Sequence, residues 1–308
     1  MRAMTYARYG GPEVLEPTEV PTPKVPPGSV LIRVRAAGVN PVDWKIMAGG
    51  LDRLMDVHFP VIPGWDVAGT VEAVGFDTPE FSPGDEVCAY GRRDSVGGGT
   101  FAELVALPVH MVAPKPRSLS WEQAAGLPLA GMTAQRTLDR LRLRAGETLL
   151  VHNGAGGVGR IAVQLGVDRG VRVIATASVR HHGRLRGLGA EPVEYGDGLV
   201  RRVRSLAPDG VDAAADFVGG VLADTLAVLR DGGRHASIAD PGAAEQHGSY
   251  IWVRPDAREL HRLGILADAG KLTVDVARTF PMEQAADAFR ASMEGHADGK
   301  IVLTPFPA

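Results

Sequence analysis

At 308 residues the chain exceeds one typical domain, and 45% apolar with 22% charged residues and a formal net charge of −3 marks an ordinary globular protein, which excludes a disordered chain. Lysine occurs only at 24, 45, 115, 271 and 300, and the arginines are scattered along the chain, so the basic face of a nucleic-acid binder is absent. The lone cysteine, Cys88, excludes an internal disulfide and a thiolate-rich metal centre and fits a reducing, cytoplasmic setting, while no window approaches the roughly 20 apolar residues of a membrane helix, so neither export nor membrane insertion is expected.

The first third reads as short strands broken by Gly and Pro: 29–39, 69–75, 85–90 and 100–107. In the first, Ile32, Val34 and Ala36 alternate with Arg33 and Arg35, the period-2 pattern of a half-buried strand, and several such strands predict a small barrel or sandwich. Near residue 118 the spacing turns helical, and Ser120 with Gln123 forms a capping box. Strands at 148–152, 171–176, 192–195, 211–218, 233–238 and 249–253 then alternate with helices from about 157, near 180–188, near 198–206 and up to about 230. That interleaving predicts parallel βαβ units in a doubly wound sheet. The tail holds a helix, the strand "TVDVA", another helix and the strand "KIVL". The expected class is α/β, with a β-rich domain from residues 1–117 and 256–308 interrupted by a dinucleotide-binding domain over 118–255.

The stretch "VHNGAGGVGRIAVQLG" places Gly154, Gly156 and Gly159 as GxGxxG between a strand and an amphipathic helix, which is the context a dinucleotide site requires. The first glycine suits the tight turn, the second a close approach to pyrophosphate, and the third close packing of helix on sheet. The N–H groups of Gly157, Val158 and Gly159 then face the phosphates. An NAD site carries Asp or Glu about 20 residues on; here Ser178 and Arg180 stand there and no carboxylate precedes Glu191, which favours the 2′-phosphate of NADP(H). The competing reading of Arg180 is plain helix-surface charge.

The segments "AAGVNPVDWK", "FPVIPGWDVAGTVEAVG", "GDEV", "GGTFAEL", "AAGLPLAGMTA", "VHNGAGGVG" and "GKIVLTP" occur in an order that resembles the medium-chain dehydrogenase/reductase superfamily, and within it the zinc-independent, zeta-crystallin-like quinone oxidoreductases. The resemblance implies a GroES-like catalytic domain in two segments, a Rossmann domain, and a homodimer. Zinc-dependent alcohol dehydrogenases of the superfamily need Cys at the position of Asn40, His-Glu at Trp65-Asp66 and commonly Cys near Leu129, so no metal is expected. Without a Lewis acid, hydride transfer from NADPH to a quinone or an α,β-unsaturated carbonyl remains feasible. Two alternatives stay open: an enoyl or ketone reductase of a biosynthetic pathway, and a non-catalytic NADPH-binding sensor.

The resemblance puts Asn40, Asp43 and Lys45 beside the nicotinamide as catalytic candidates. Quinone oxidoreductases often carry Tyr where Lys45 stands. The competing reading is that Asn40 and Asp43 organise the turn around Pro41 and that Lys45 points to solvent. Thr133 matches a position near the nicotinamide, unless its hydroxyl bonds its own helix. Tyr195 matches a residue near the adenosine phosphate, unless it is a core aromatic. Val218 and Ile238 sit at strand ends where ligands gather, and Lys300 returns toward the site. Trp44, Trp65, Tyr90 and Met132 form either an apolar wall or ordinary core, and Cys88 reads as a buried small hydrophobe.

Overall fold

The structure, a computed structural model, describes residues 1–295 and 297–307, and the chain divides into two compact units: 1–129 with the segment from 254 onward, and 130–253. The sequence texture changes near 118, whereas the units part after Leu129.

In chain order the first unit holds β1 (Arg2–Thr5), β2 (Glu16–Glu19), β3 (Ser29–Val39), α1 (Pro41–Met47), β4 (Asp66–Val74), β5 (Glu86–Tyr90), β6 (Leu104–Pro108), β7 (Val112–Pro114) and α2 (Trp121–Gly126). Helix α3 (Pro128–Leu141) leads to β8 (Thr148–His152), α4 (Gly157–Asp168), β9 (Arg172–Thr176), α5 (His182–Gly187) and β10 (Glu191–Val193). Then come α6 (Leu199–Leu206), β11 (Val211–Asp216), α7 (Leu222–Val228), β12 (Leu229–Ser237), α8 (Gly242–Glu245) and β13 (Ser249–Tyr250). The chain returns to the first unit with α9 (Ala257–Asp268), β14 (Val276–Pro281), α10 (Ala285–Met293) and β15 (Lys300–Thr304).

The main sheet of the first unit runs β14-β15-β3-β4-β5-β7, with β6 also paired to β3. Strand β3 is its spine. Arg33 and Arg35 face solvent, but both ends of the strand are buried on both faces, so the alternation is confined to its middle. At its C-terminal end the reason is α2: a Cβ on Gly38 would lie 2.4 Å from Ala125 O, so only glycine lets the helix backbone seat on the strand. Each Val or Ile buried here contributes on the order of 1.5–3 kcal/mol. The register sets Gly38 opposite both Asp66 of β4 and Val302 of β15, which brings segments from three parts of the chain to one end of the sheet.

The second unit is a six-stranded parallel sheet in the order β10-β9-β8-β11-β12-β13, strands 3-2-1-4-5-6 of a doubly wound fold. Its central strands β8, β9 and β11 are buried along nearly their whole length, as expected where helices cover both faces. Leu150, Ile174, Val193, Leu199, Val203, Val211 and Val228 form one core cluster. The order reverses between β8 and β11, so their carboxyl ends frame the ligand-binding crevice of such a sheet.

Several elements depart from expectation. The strand expected at "TVDVA" lies instead at Val276–Pro281, because pairing starts at Val276 opposite Lys300 while Leu272 and Val274 turn into the core. Only Ser249–Tyr250 of the last expected parallel strand pairs, at the sheet edge. Residues 180–188 split into a 3-10 turn, Val179–His181, and the short α5. Helix α4 is buried at every position from Gly159 to Gly166, Arg160 and Gln164 included, rather than along one stripe.

Candidate active site

The glycine loop of the second unit is shaped by contacts that leave no room for side chains. The turn after β8 takes its left-handed residue at Asn153, φ 55°, and not at Gly154. Gly154 is needed for a different reason: its Cβ would lie 2.7 Å from the Cβ of Ala175 on β9. A Cβ on Gly159 would meet Asn153 O at 2.1 Å, so the third glycine lets the first turn of α4 close onto the loop. Asn153 N–H donates to Thr176 Oγ1 at 2.9 Å and Gly154 N–H to Thr176 O at 2.9 Å, which pins the loop to the end of β9. The N–H groups of Gly157, Val158 and Gly159 lie in the first helical turn, where no intrahelical acceptor exists, and they carry the positive end of the helix dipole.

Ser178 follows β9 and starts the 3-10 turn that carries Arg180, which is exposed. Arg180 Nε donates to His181 Nε2 at 3.0 Å. His181 is held below its ordinary pKa by burial and then by the guanidinium groups of Arg180, Arg160 and Arg184 and by His182. Positive potential therefore collects where the sequence had flagged Arg180 alone. Tyr195 is 61% exposed and is no core aromatic. Its loop is clamped by Arg202, whose guanidinium donates to the carbonyls of Glu194, Tyr195, Gly196 and Asp197.

At the ends of β11 and β12 the organisers are Asp216 and Ser237, the first residues of the segments 216–220 and 237–240 where ligand contacts are expected. Buried Asp216 accepts from Val218 N–H at 2.8 Å, Gly219 N–H at 2.9 Å and Ser237 Oγ at 2.7 Å. Ser237 Oγ accepts in turn from Ala239 N–H and Asp240 N–H. Val218 is left 53% exposed on the first turn and Ile238 half-buried beside the second. Thr133 on α3 is 4% exposed, and its hydroxyl has no partner; the back-bonded hydroxyl of this helix belongs to Thr137, which donates to Thr133 O at 2.8 Å.

In the first unit the sheet register gathers Asn40, Asp43, Asp66 and Lys300 into a buried polar cluster, each 7% exposed or less. Asn40 caps α1, and its N–H donates to Asp43 Oδ2 at 2.8 Å, the reach-back half of a capping box. Its side chain is turned elsewhere: Nδ2 donates to Asp66 Oδ2 at 2.9 Å, and Oδ1 accepts from Lys300 Nζ. Lys300 Nζ also donates to Val39 O at 3.2 Å, and Asp66 Oδ1 accepts from Leu129 N–H at 2.9 Å. Burial lowers the pKa of Lys300, and it pushes Asp66 up to about 6 and Asp43 up to about 8. One cation therefore faces two carboxyls in a region that disfavours net charge.

Of the three residues flagged at 40–45, the structure brings Asn40 and Asp43 together and turns Lys45 outward, where its ammonium lies 5.5 Å from the Trp44 ring. Trp65 and Tyr90 stack edge to face at 6.0 Å inside the core, Met132 is fully buried, and Trp44 is half-buried with its Nε1 donating to Ser292 Oγ. Cys88 is buried, and burial raises its thiol pKa to about 12. The part of Asp66 as a fixed buried acceptor carries no spacing signal.

Residues 26–117 match the model of the alcohol dehydrogenase GroES-like domain, and residues 188–303 match that of the zinc-binding dehydrogenases. The chain is 36% identical over 317 residues to the NADPH-dependent alkenal/one oxidoreductase, chloroplastic, of Arabidopsis thaliana, covering 100% of this chain and 80% of that protein. The structure of the quinone oxidoreductase from Coxiella burnetii superposes with a TM-score of 0.88 at 32% identity, covering 99% of both chains. A mycobacterial protein solved in complex with NADPH superposes with a TM-score of 0.84 at 30% identity, over 99% of this chain and 100% of that one.

The zinc in the second model's description does not fit these residues. No group of three His, Cys, Asp or Glu side chains suited to a metal occurs among the described residues. Asp66, the one acidic side chain at the expected ligand positions, is bonded to Asn40 and Leu129, and the Lys300 ammonium stands on Asn40 where a cation would have to approach. Nor is any helix among the described residues long and apolar enough to cross a membrane.

Proposed function

Because the chain belongs to the medium-chain dehydrogenase/reductase superfamily, in its quinone oxidoreductase family, we propose that it is an NADPH-dependent oxidoreductase that reduces quinones or α,β-unsaturated carbonyls without a metal. The observation that carries this reading is the buried Lys300 ammonium on Asn40, beside an Asp66 whose two oxygens already accept from Asn40 and Leu129. A divalent ion there would face a fixed positive charge. Acceptors that need a Lewis acid to polarise an isolated carbonyl are disfavoured, and conjugated acceptors, which delocalise the incoming charge themselves, are left.

The glycine loop fits the nucleotide. Gly157, Val158 and Gly159 offer N–H donors to a pyrophosphate, and the contacts of Gly154 and Gly159 keep side chains out of its way. Ser178, Arg180, His181 and Arg184 suit the 2′-phosphate, which a carboxylate at that place would repel. Tyr195, Val218 and Ile238 flank the same strand ends, and the unpartnered hydroxyl of Thr133 is free to meet the cofactor. When bound, NADPH supplies a hydride. The chain's own residues orient the acceptor, exclude water and hold the second proton. Homodimer formation follows from the family resemblance, and a cytoplasmic setting from the lone cysteine, Cys88.

The test is consumption of NADPH and of NADH with 1,4-benzoquinone, an alkenal and a simple alcohol, each with and without a chelator. NADPH oxidation by the conjugated acceptors, unaffected by the chelator, is the expected result. Turnover restricted to simple alcohols, or lost on chelation, contradicts the reading.

A further inference from the structure

The turn that follows β9 carries a histidine whose protonation state can be read from its hydrogen bond. Arg180 Nε donates to His181 Nε2 at 3.0 Å. A guanidinium has donors and no acceptor, so Nε2 must offer its lone pair, and the His181 ring in this arrangement is neutral. The backbone fixes its place: His181 N–H donates to Ser178 O at 2.9 Å, which closes the 3-10 turn Val179–His181 directly after the end of β9. The ring is half-buried and Arg180 beside it is exposed, so solvent reaches the pair.

The charges that act on His181 are all basic. Arg180 belongs to the same turn, Arg160 acts from α4 and Arg184 from α5, and His182 follows in sequence. The His182 ring is turned onto Ala177 O, 3.2 Å from its Nε2. Glu191, the first carboxylate along the chain after the turn, is taken by Arg172 through bonds of 2.6 and 2.8 Å. Arg202, on the neighbouring loop, is spent on the carbonyls of residues 194–197. Burial and then the basic neighbours hold the His181 pKa below its ordinary value. The arginines keep their charge at any physiological pH, whereas a histidine adds or sheds a proton as its surroundings change. A phosphate monoester, carrying about −1.5 to −2 charges at pH 7, reverses the field that keeps this ring neutral.

We propose that the turn at 178–184 is a proton-linked subsite for a phosphate monoester, in which His181 becomes an imidazolium as a 2′-phosphorylated adenosine binds, so that the preference for NADP(H) over NAD(H) depends on pH. The proposal rests on the functional reading above, and it needs the second unit alone, where the glycine loop and this turn both lie. A proton from solvent adds to the Nε2 lone pair, the hydrogen bond from Arg180 Nε is released, and both side chains become donors to phosphate oxygens. No bond of the nucleotide breaks. A 2′-hydroxyl brings no charge to the turn, so NAD(H) leaves His181 neutral and bonded to Arg180. The complex with the phosphorylated nucleotide therefore holds one more proton than its free components. By linkage, its affinity falls as pH rises, by at most about tenfold per unit.

The test is calorimetric titration of the full chain with NADP+ and with NAD+ near neutral pH in PIPES and in Tris, whose different heats of ionisation report the protons exchanged. Binding of NADP+ takes up about half a proton or more, and binding of NAD+ takes up none. The preference of wild type for NADP+ over NAD+ shrinks about tenfold as the solution is taken two units more alkaline. His181→Gln keeps a neutral polar side chain. It takes up no proton, binds NADP+ about tenfold more weakly near neutrality, matches wild type within about twofold in the alkaline solution, and binds NAD+ as wild type does. Titrations with 2′-AMP and with inorganic phosphate separate the two sources of the anion: 2′-AMP shows the proton uptake, and phosphate binds at least about tenfold more weakly. The proposal is overturned if NADP+ takes up no more protons than NAD+, if His181→Gln keeps the uptake, or if inorganic phosphate binds as tightly as 2′-AMP. If wild type binds neither dinucleotide, the functional reading falls instead, and the 2′-AMP titration alone decides the subsite.

Discussion

The glycine loop of the second unit and the polar cluster of the first solve opposite problems. The loop presents backbone N–H groups on a shape that side chains would spoil, and its neighbours Ser178, Arg180 and Tyr195 stay half or fully exposed. The cluster is built on buried side chains, bonded to one another and to nearby backbone across 260 residues of sequence. A backbone site tolerates exposure because its geometry is set by packing behind it. A side-chain site in a low-dielectric interior must balance charge within itself, and any single change there propagates to every member.

That contrast is broken most forcefully at Lys300. Lys300→Met leaves Asp66 buried without its cation and is expected to cost about 3–5 kcal/mol, read as a lowered midpoint of urea unfolding. An unchanged midpoint would mean that the cluster holds no net charge to balance. Next is Gly159→Ala, whose new Cβ falls 2.1 Å from Asn153 O. Overpacking of this kind costs about 1–3 kcal/mol and moves the first turn of α4, so nucleotide binding by calorimetry should weaken together with stability.

Asp43 tests the cluster through pH. Its carboxyl keeps its proton up to about 8 in the folded chain but releases it near the ordinary 3.8 when unfolded. The folded state therefore binds more protons across that window, and stability falls as pH rises from 4 to 8, by at most about 1.4 kcal/mol per unit from this group. Asp43→Asn should flatten that decline, with no change in slope below pH 4. The smallest effect belongs to the exposed rim of the loop. Arg180→Ala should weaken NADPH binding about tenfold and NADH binding hardly at all, as expected for one charge-assisted contact to a phosphate. Equal losses for both nucleotides would remove Arg180 from the 2′-phosphate.

The same contrast explains what could be read from the sequence. The glycine loop was legible because Gly154, Gly156 and Gly159 stand at fixed offsets within one βαβ unit, though the left-handed residue proved to be Asn153. The doubly wound sheet was legible from apolar runs such as 148–152, which match β8 residue for residue. The strand expected at "TVDVA" misled because alternation was taken for sheet, while the true partner, β15, sets the register further on. Asn40 and Asp43, three residues apart, stood out through the family resemblance. Their connection to Asp66 and Lys300 exists only once β3, β4 and β15 align, and nothing in local spacing announces it.

The most direct measurement of the whole account is anaerobic oxidation of NADPH by 1,4-benzoquinone with metal content determined on the same sample. We expect turnover at full rate in protein carrying no stoichiometric zinc, with NADH a much poorer donor. Turnover that tracks bound zinc, or tight NADPH binding with no hydride passed to any conjugated acceptor, would contradict it.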